Sequence, residues 1–185
     1  MNCKTAVVLA AGAGTRMRSE KPKVLHEVCG KPMVSHVTSQ AAEAGADNII
    51  VVIGHGADRV KNAIDDGKLK FAVQSEQLGT GHAVKQAMGD VPDEGGVFVL
   101  CGDTPLITAD TLKGFADFHE KSGNAVTVLT ALFDDPFGYG RIIRAADGSL
   151  LRIVEQKHAN DEEKAVKEVN AGMYCFDAAF LKENI

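Results

Sequence analysis

The sequence predicts an α/β fold, with a doubly wound, mostly parallel sheet and a small β-rich lobe. Short apolar segments rich in Val, Ile and Leu alternate with segments of helical periodicity through residues 1–132. This alternation is typical of parallel strands joined by helices, and strands that are apolar throughout are typical of a sheet covered on both faces. From Asp134 onward the pattern changes to short strand-like segments separated by turns.

The main strands are expected where β-branched residues are densest, at 5–9, 48–53, 70–74, 96–101 and 125–132. Helices are expected where apolar residues recur three and four positions apart. These stripes are Met33, Val37, Ala41 and Ala44; Ala83, Val84, Ala87 and Met88; and Leu112, Phe115, Ala116 and His119. Gly45 is suited to end the first helix, and Thr108 or Asp110 to cap the third.

The end of the chain predicts the smaller lobe. Asp147 and Gly148 indicate a hairpin turn. The segment "DEEKAVKE" predicts a short charged helix, "VNAGMYCF" a further strand and "DAAFLKENI" a final helix. We therefore expect one domain over residues 1–185, with the main sheet in 1–132 and the lobe in 133–185.

Composition and charge exclude several classes of protein. The formal net charge of −5 argues against general nucleic-acid binding, which favours basic faces. The four cysteines form no C-x-x-C pair and no disulfide framework, so a reducing cytoplasm is the simplest expectation. The six histidines show no metal-ligand spacing. No apolar run approaches the roughly 20 residues needed to cross a bilayer, and the glycines after the first strand argue against a signal peptide.

The first strand ends in the small-residue turn "AAGAG" (10–14), which is followed by Arg16 and Lys23. Glycine and alanine allow backbone amides to approach an anion, and the two cations add positive charge. The dinucleotide fingerprint fails because Met17 stands where a third glycine is required, and the Gly-Lys-Ser/Thr of a P-loop is absent. The segment predicts a polyphosphate pocket; the alternative is an ordinary strand-to-loop turn.

Polar residues follow two other strands. Asp103 comes directly after the strand 96–101, where a carboxylate is either a magnesium ligand or a turn cap. The segment "QSEQLGTGHA" (74–83) offers amides and backbone groups that either pair with a nucleobase or simply begin a helix. Because parallel strands present their carboxyl ends at one edge of the sheet, these residues are expected to converge on one crevice with Gly12 and Gly54.

The lobe carries a second set of candidates. The segment "FGYGRI" places Gly138 and Gly140 before a strand, as either a ligand-binding backbone or a hairpin turn. Glu155 and Asn170 are predicted to lie within apolar strands, where a buried Glu needs either sugar hydroxyls or a salt bridge. No nucleophile is evident, which favours direct transfer between bound substrates with stabilisation of charge.

Together these motifs resemble the sugar-nucleotide pyrophosphorylases. The segments are "LAAGAGTRM", "KPKVLHEVCGKPM", "QSEQLGTGHA", "CGDTPLI", "DDPFGYGRI", "VEQK" and "EVNAGMY". Within that family they are similar to the N-terminal uridyltransferase domain of the bacterial bifunctional enzymes that also carry a glucosamine-1-phosphate acetyltransferase. The resemblance implies a fold of the nucleotide-diphospho-sugar transferase type. It implies a nucleotide-binding half in 1–132 and a sugar-binding lobe in 133–185.

The resemblance also implies roles for individual residues. For the nucleotide, it places Leu9, Ala10, Ala11 and Gly12 on the uridine nucleotide, Arg16 and Lys23 on the phosphates, and Gln74, Gly79 and Thr80 on the uracil. It places Asp103 on Mg²⁺, and Cys101 and Gly102 on substrate. For the sugar, it places Gly140, Glu155 and Asn170 on N-acetylglucosamine. The catalytic residues would be Arg16, Lys23 and Asp103. The implied cofactor is Mg²⁺, and the implied ligands are UTP, N-acetylglucosamine 1-phosphate and UDP-N-acetylglucosamine, with neither nucleic acid nor membrane as partner.

Two departures from the family pattern stand out. Cys101 replaces the usual tyrosine, so the ring contributed there is lost. The family's domain also continues beyond Ile185 with an asparagine as second magnesium ligand, and the acetyltransferase β-helix with its trimer contacts follows. The resemblance therefore implies a domain that is incomplete at its C-terminus. The alternative functions are another sugar-1-phosphate nucleotidyltransferase and a non-catalytic sugar-nucleotide-binding module.

Overall fold

The computed structural model describes residues 3–14 and 17–185. The chain divides into two compact units, Met1–Thr127 with Tyr174–Ile185 (the first unit) and Val128–Met173 (the second unit). This division differs from the expected parts 1–132 and 133–185. The chain returns to the first unit at Tyr174, because Tyr174–Asp177 pair with the strand Gly96–Cys101, a long-range pairing that local sequence patterns do not reveal.

A mostly parallel sheet forms the centre of the first unit and confirms the predicted α/β class. Its strands are β1 (Cys3–Ala10), β4 (Asn48–Ile53), β5 (Lys70–Val73), β6 (Gly96–Cys101) and the end of β10 (Glu168–Asp177). Their order is β5-β4-β1-β6-β10, and only β10 is antiparallel to its neighbour. A separate two-stranded hairpin consists of β2 (Glu27–Val28) and β3 (Lys31–Pro32).

Helices cover both faces of this sheet. They are α1 (Met33–Glu43), α2 (Ala57–Ile64), α3 (Thr80–Gln86), α4 (Ala109–Ser122) and α6 (Ala178–Asn184). Residues of α3 and α6 join Val7 of β1 in one core cluster. On the opposite face Phe98 of β6 stacks on Phe115 of α4, with ring centroids 6.3 Å apart. The predicted cap Thr108 accepts a hydrogen bond from the Thr111 amide at the start of α4.

The second unit contains the short strands expected of the lobe. These are β8 (Arg141–Arg144), β9 (Leu150–Val154) and the parts of β7 (Val126–Leu132) and β10 that lie within 128–173. The predicted turn at Asp147 and Gly148 joins β8 to β9, which pair antiparallel. The predicted helix over 161–168 is shorter, because α5 (Asp161–Lys164) ends before the chain enters β10.

None of the helices in the described part of the chain is both long enough and apolar enough to cross a membrane.

The ends of β1, β4 and β6 approach one another closely. Leu9 is in register with Val52 on one side and with Cys101 on the other. Beyond the strands, the Gly102 amide donates to the Leu9 carbonyl at 2.9 Å, and a Cβ added to Gly102 would stand 2.9 Å from that same oxygen. A side chain at position 102 would therefore push β6 away from β1.

We expect Gly102→Ala to lower the free energy of unfolding by about 1–3 kcal/mol, because the obstacle is a backbone oxygen that cannot rotate away. Gly114→Ala is the matched control, since Gly114 lies within α4 with nothing within 4 Å of an added Cβ. That change should raise stability by about 0.5–1 kcal/mol, the usual gain for Gly→Ala in a helix. Urea unfolding followed by circular dichroism measures both, and equal midpoints for Gly102→Ala and wild type would contradict the prediction.

Candidate functional site

A cleft of about 630 Å³ opens at the carboxyl ends of the parallel strands in the first unit. Backbone and side chains from four chain segments line it. They are Leu9, Ala10, Ala11, Gly12, Gly14, Met17, Lys23, Val24, Gln74, Gln77, Gly79, Thr80, Ala83, Cys101 and Asp103. The cleft thus brings together the candidates that the sequence placed after strands β1, β5 and β6. Gly54 lies beneath it, where an added Cβ would stand 2.9 Å from the Ala11 Cβ.

Hydrogen bonds to the Ala11 carbonyl hold the turn after β1 in place. The Ala11 oxygen accepts from the His55 amide at 3.1 Å and from Gln77 Nε2 at 3.0 Å. Within residues 3–14 and 17–185, no protein group accepts a hydrogen bond from the amides of Gly12, Ala13 or Gly14. Unpaired backbone donors at a strand end form a concavity that suits an anion.

Lys23 and Asp103 meet in the cleft as an ion pair. Lys23 begins the short 3₁₀ helix Lys23–Leu25, and Asp103 lies two residues after the end of β6. The Lys23 ammonium and the Asp103 carboxylate are both partly exposed, so solvent screens the pair and its contribution to stability is small. The charges are therefore available to a ligand that offers a better partner to each.

Gly14 makes room for Lys23. The Gly14 backbone is left-handed, with φ of +61°, and an added Cβ would stand 2.6 Å from the Lys23 Cβ. Glycine is thus required here both for its backbone conformation and for its lack of a side chain. The position of the Lys23 ammonium depends on this close approach.

Cys101 is the last residue of β6 and lines the cleft beside Asp103. Burial raises the pKa of the Cys101 thiol to about 11; the Asp103 carboxylate contributes in the same direction, and Lys23 opposes it. The Thr104 hydroxyl donates to the Cys101 carbonyl at 2.6 Å, which fixes the turn that carries Asp103. Cys101 is therefore a neutral thiol at physiological pH.

Gln74 holds the segment that leads into α3. Its side chain is buried, and Nε2 donates to the Gly79 carbonyl at 3.1 Å and lies 3.1 Å from His82 Nδ1. Gly79 has a φ of +106° and directly precedes Thr80, the first residue of α3. The amide nitrogen of Gln74 thus shapes the Gly79–Thr80 turn, while both turn residues line the cleft.

The three candidates of the lobe lie close together in the second unit. The Gly140 carbonyl accepts from the Asn170 amide at 2.9 Å. A Cβ added to Gly140 would stand 3.2 Å from Glu155 Oε1. The expectation that Glu155 is buried within a strand is wrong: β9 ends at Val154, and Glu155 is exposed. Asn170 does lie within β10, and its side-chain oxygen accepts from the Gly172 amide at 2.9 Å.

Arg16 and Thr15 lie outside the described residues. The structure adds Gly14, Met17, Val24, Gln77 and Ala83 to the lining of the cleft. The sequence could have indicated Gln77, because this residue belongs to the polar segment 74–83. Gly14 belongs to the predicted turn 10–14 and Ala83 to the segment 74–83, whereas Met17 and Val24 are apolar residues whose exposure to the cleft follows from packing and left no signal in the sequence.

The model of the MobA-like NTP transferase domain family matches residues 6–168. The chain belongs to this family. The match covers most of the strands that form the cleft and most of the second unit, and it includes the cleft candidates, Gly140 and Glu155, while Asn170 lies two residues beyond its end.

Curated relatives of this NTP transferase domain share half or more of its residues. The chain is 54% identical over 177 residues to the bifunctional protein GlmU of Caldanaerobacter subterraneus, covering 96% of this chain and 38% of that protein. It is 54% identical over 182 residues to GlmU of Heliobacterium modesticaldum, covering 98% and 40%. For GlmU of Bacillus licheniformis the identity is 50%, covering 100% and 41%. The chain thus spans about two fifths of the length of these relatives.

A solved structure shares the fold. It is a Bacillus anthracis protein assigned as a glucose-1-phosphate thymidylyltransferase and crystallised in complex with sucrose. The TM-score is 0.81 at 20% identity, over 96% of this chain and 73% of that chain. At this identity the likeness shows the fold of the NTP transferase domain and nothing finer.

We expect Cys101 to react slowly with iodoacetamide at pH 8, because only the thiolate attacks and a pKa of about 11 leaves it scarce. Its rate should rise steeply between pH 8 and pH 10, while the exposed Cys29 reacts readily throughout. Mass spectrometry of the labelled peptides measures both rates. Labelling of Cys101 as fast as Cys29 at pH 8 would contradict the expected pKa.

Proposed function

We propose that the chain transfers a uridylyl group from UTP to N-acetylglucosamine 1-phosphate, which gives UDP-N-acetylglucosamine and pyrophosphate. The observation that carries this proposal is the cleft of the first unit, where the amides of the turn at 12–14, which have no acceptor among the described residues, lie with Lys23 and Asp103. The NTP transferase family and the GlmU relatives support the reaction class. The choice of uridine and N-acetylglucosamine rests on the motif resemblance.

The nucleotide would be held mainly by backbone groups. The amides of Gly12, Ala13 and Gly14 would donate to phosphate oxygens, an arrangement that costs no side-chain ordering. The Gly79–Thr80 turn, shaped by Gln74, would offer its backbone to the edge of the uracil. In the second unit, Gly140, Glu155 and Asn170 would bind the hydroxyl and acetamido groups of the sugar.

The donor set of the cleft fits Mg²⁺ that arrives with the triphosphate. Mg²⁺ prefers oxygen ligands and is usually held by one or two carboxylates together with substrate phosphates and waters. Asp103 supplies one such carboxylate. Among the described residues, no group of three or more His, Cys, Asp or Glu is placed to hold a metal ion. Bound there, Mg²⁺ would neutralise part of the charge on the triphosphate.

The chemistry requires two anions to meet. An oxygen of the sugar phosphate forms a bond to the α-phosphorus of UTP, the bond from that phosphorus to the β-phosphate oxygen breaks, and pyrophosphate leaves with the electron pair. The sugar phosphate is already ionised at pH 7, so no general base is needed. Lys23 would leave Asp103 for a phosphate oxygen and offset the charge, and Arg16 would add a second cation.

We expect Asp103→Asn to lower turnover by about 100-fold or more, because it removes the charged oxygen at the reacting phosphates. The affinity for UTP measured without magnesium should change far less. Pyrophosphate release over a magnesium titration and calorimetry measure the two effects. Asp93→Asn is the matched control, since the Asp93 carboxylate pairs with Lys182 on the surface. A wild-type rate for Asp103→Asn at low magnesium would overturn the role of Asp103.

A substrate panel tests the proposed specificity. Pyrophosphate release is measured for each of the four ribonucleoside triphosphates and dTTP with N-acetylglucosamine 1-phosphate and with glucose 1-phosphate. We expect UTP with N-acetylglucosamine 1-phosphate to give the highest kcat/KM. A different preferred pair would assign the chain to another sugar-1-phosphate nucleotidyltransferase activity, and UDP-N-acetylglucosamine binding without turnover on any pair would favour a binding module.

A further inference from the structure

Arg141 is a buried cation in the second unit. It begins β8 directly after Gly140, and only 1% of its surface is exposed. Arginine is almost never fully buried unless its charge is paired. Within the described residues, however, no carboxylate oxygen lies within 4.0 Å of its guanidinium nitrogens. The hydrogen-bond partners of the buried guanidinium are thus neutral groups.

The guanidinium joins two segments of the chain. Its Nη1 donates to the Tyr139 carbonyl, and its Nη2 donates to Gln156 Oε1 at 2.6 Å. Gln156 Oε1 also accepts from the Gly138 amide at 3.2 Å. Arg141 and Gln156 together therefore fix the turn at 138–140 against the residues that follow β9. We refer to this pair as the Arg141–Gln156 brace.

Two features of the Arg141–Gln156 brace are unfavourable for the free energy of folding. Arg141 Nε is buried and has no hydrogen-bond partner in the part of the chain that the structure describes. A buried donor without an acceptor is unfavourable, and a buried charge without an opposite charge more so. Such an arrangement gains little for stability over an apolar residue of similar size. It does hold the surrounding backbone in one conformation, because the planar fork fixes two acceptors at once.

The residues that the brace fixes are the chain neighbours of the proposed sugar-binding residues. Arg141 follows Gly140, and Gln156 follows Glu155. Gly140 and Glu155 are themselves in close approach, with Glu155 Oε1 3.2 Å from the place a Gly140 Cβ would occupy. The Gly140 carbonyl is also bonded to the Asn170 amide. A shift of the turn would therefore change the spacing of all three residues.

We propose that Arg141 is a positioning residue for the sugar: through Gln156 it holds Gly140 and Glu155 at the separation that N-acetylglucosamine requires. This inference rests on the proposed function, which assigns the sugar to Gly140, Glu155 and Asn170. It implies that loss of the brace weakens binding of the sugar part and leaves binding of the nucleotide part unchanged.

The test compares affinities for UDP-N-acetylglucosamine and UDP, measured by calorimetry on the wild-type chain and its variants. The dissociation constant for UDP divided by that for UDP-N-acetylglucosamine gives the contribution of the sugar to binding. Arg141→Lys keeps the positive charge but loses the planar guanidinium that reaches two acceptors. We expect this ratio to fall about tenfold or more, while the affinity for UDP stays the same. Arg144→Lys is the matched control in the same strand, since Arg144 binds the Glu168 carboxylate at the surface and should leave the ratio unchanged.

Two variants of Gln156 separate positioning from folding. Gln156→Glu keeps an acceptor for Arg141 and should preserve most of the ratio, whereas Gln156→Leu removes the acceptor and should lower it as Arg141→Lys does. Steady-state kinetics provide a second readout: KM for N-acetylglucosamine 1-phosphate should rise about tenfold in Arg141→Lys, with KM for UTP unchanged. Thermal unfolding confirms that each variant is folded.

The outcomes are distinguishable. If wild type binds UDP-N-acetylglucosamine no better than UDP and turns over no substrate pair, the proposed function fails, and the role of Arg141 fails with it. If wild type shows the sugar preference and Arg141→Lys retains it, only the inference about Arg141 is overturned. Equal losses of affinity for UDP and UDP-N-acetylglucosamine would also overturn it, because they would indicate general loss of structure. If the Arg141→Lys variant does not fold, the same ratio measured for Gln156→Leu tests the inference.

Discussion

The register of β1 between β4 and β6 is the constraint on which the first unit depends. It places the ends of the three strands at one level, so that the Gly102 amide reaches the Leu9 carbonyl and Gly54 lies against Ala11. Neither glycine position can accept a side chain without separating the strands. The cleft therefore exists because three parallel strands end together and their connecting turns are small.

Among the described residues of the cleft, the charges of Lys23 and Asp103 balance each other before any ligand binds. Lys23 neutralises Asp103, and both side chains remain partly accessible to solvent. A magnesium-bound triphosphate would supply a cation for Asp103 and an anion for Lys23 in a single event, so the exchange of partners costs little. Burial governs the pKa of the Cys101 thiol, and the two opposite charges beside it change that pKa in opposite directions.

The two units use different means to fix the candidate binding residues. In the first unit, backbone carbonyls hold the turns, as Ala11 does by accepting from His55 and Gln77. In the second unit, a buried side-chain fork does so, with Arg141 and Gln156 beneath the turn at 138–140. Hydrogen bonds to backbone carbonyls suit a strand end, because further hydrogen-bond donors lie nearby. In the second unit, the turn at 138–140 and Gln156 lie just beyond the paired ends of β8 and β9, where Arg141 is in register with Val154, and the guanidinium reaches both segments.

The sequence by itself determined the α/β class, the strands of the parallel sheet and the grouping of polar residues after β1, β5 and β6, because periodicity and strand-end position are local properties. The tertiary structure decided which unit the end of the chain joins, since the pairing of Tyr174–Asp177 with β6 is a long-range contact. It also decided that Glu155 is exposed and that Arg141 is buried. Burial of a charged residue depends on the segments packed around it, and those are distant in the sequence.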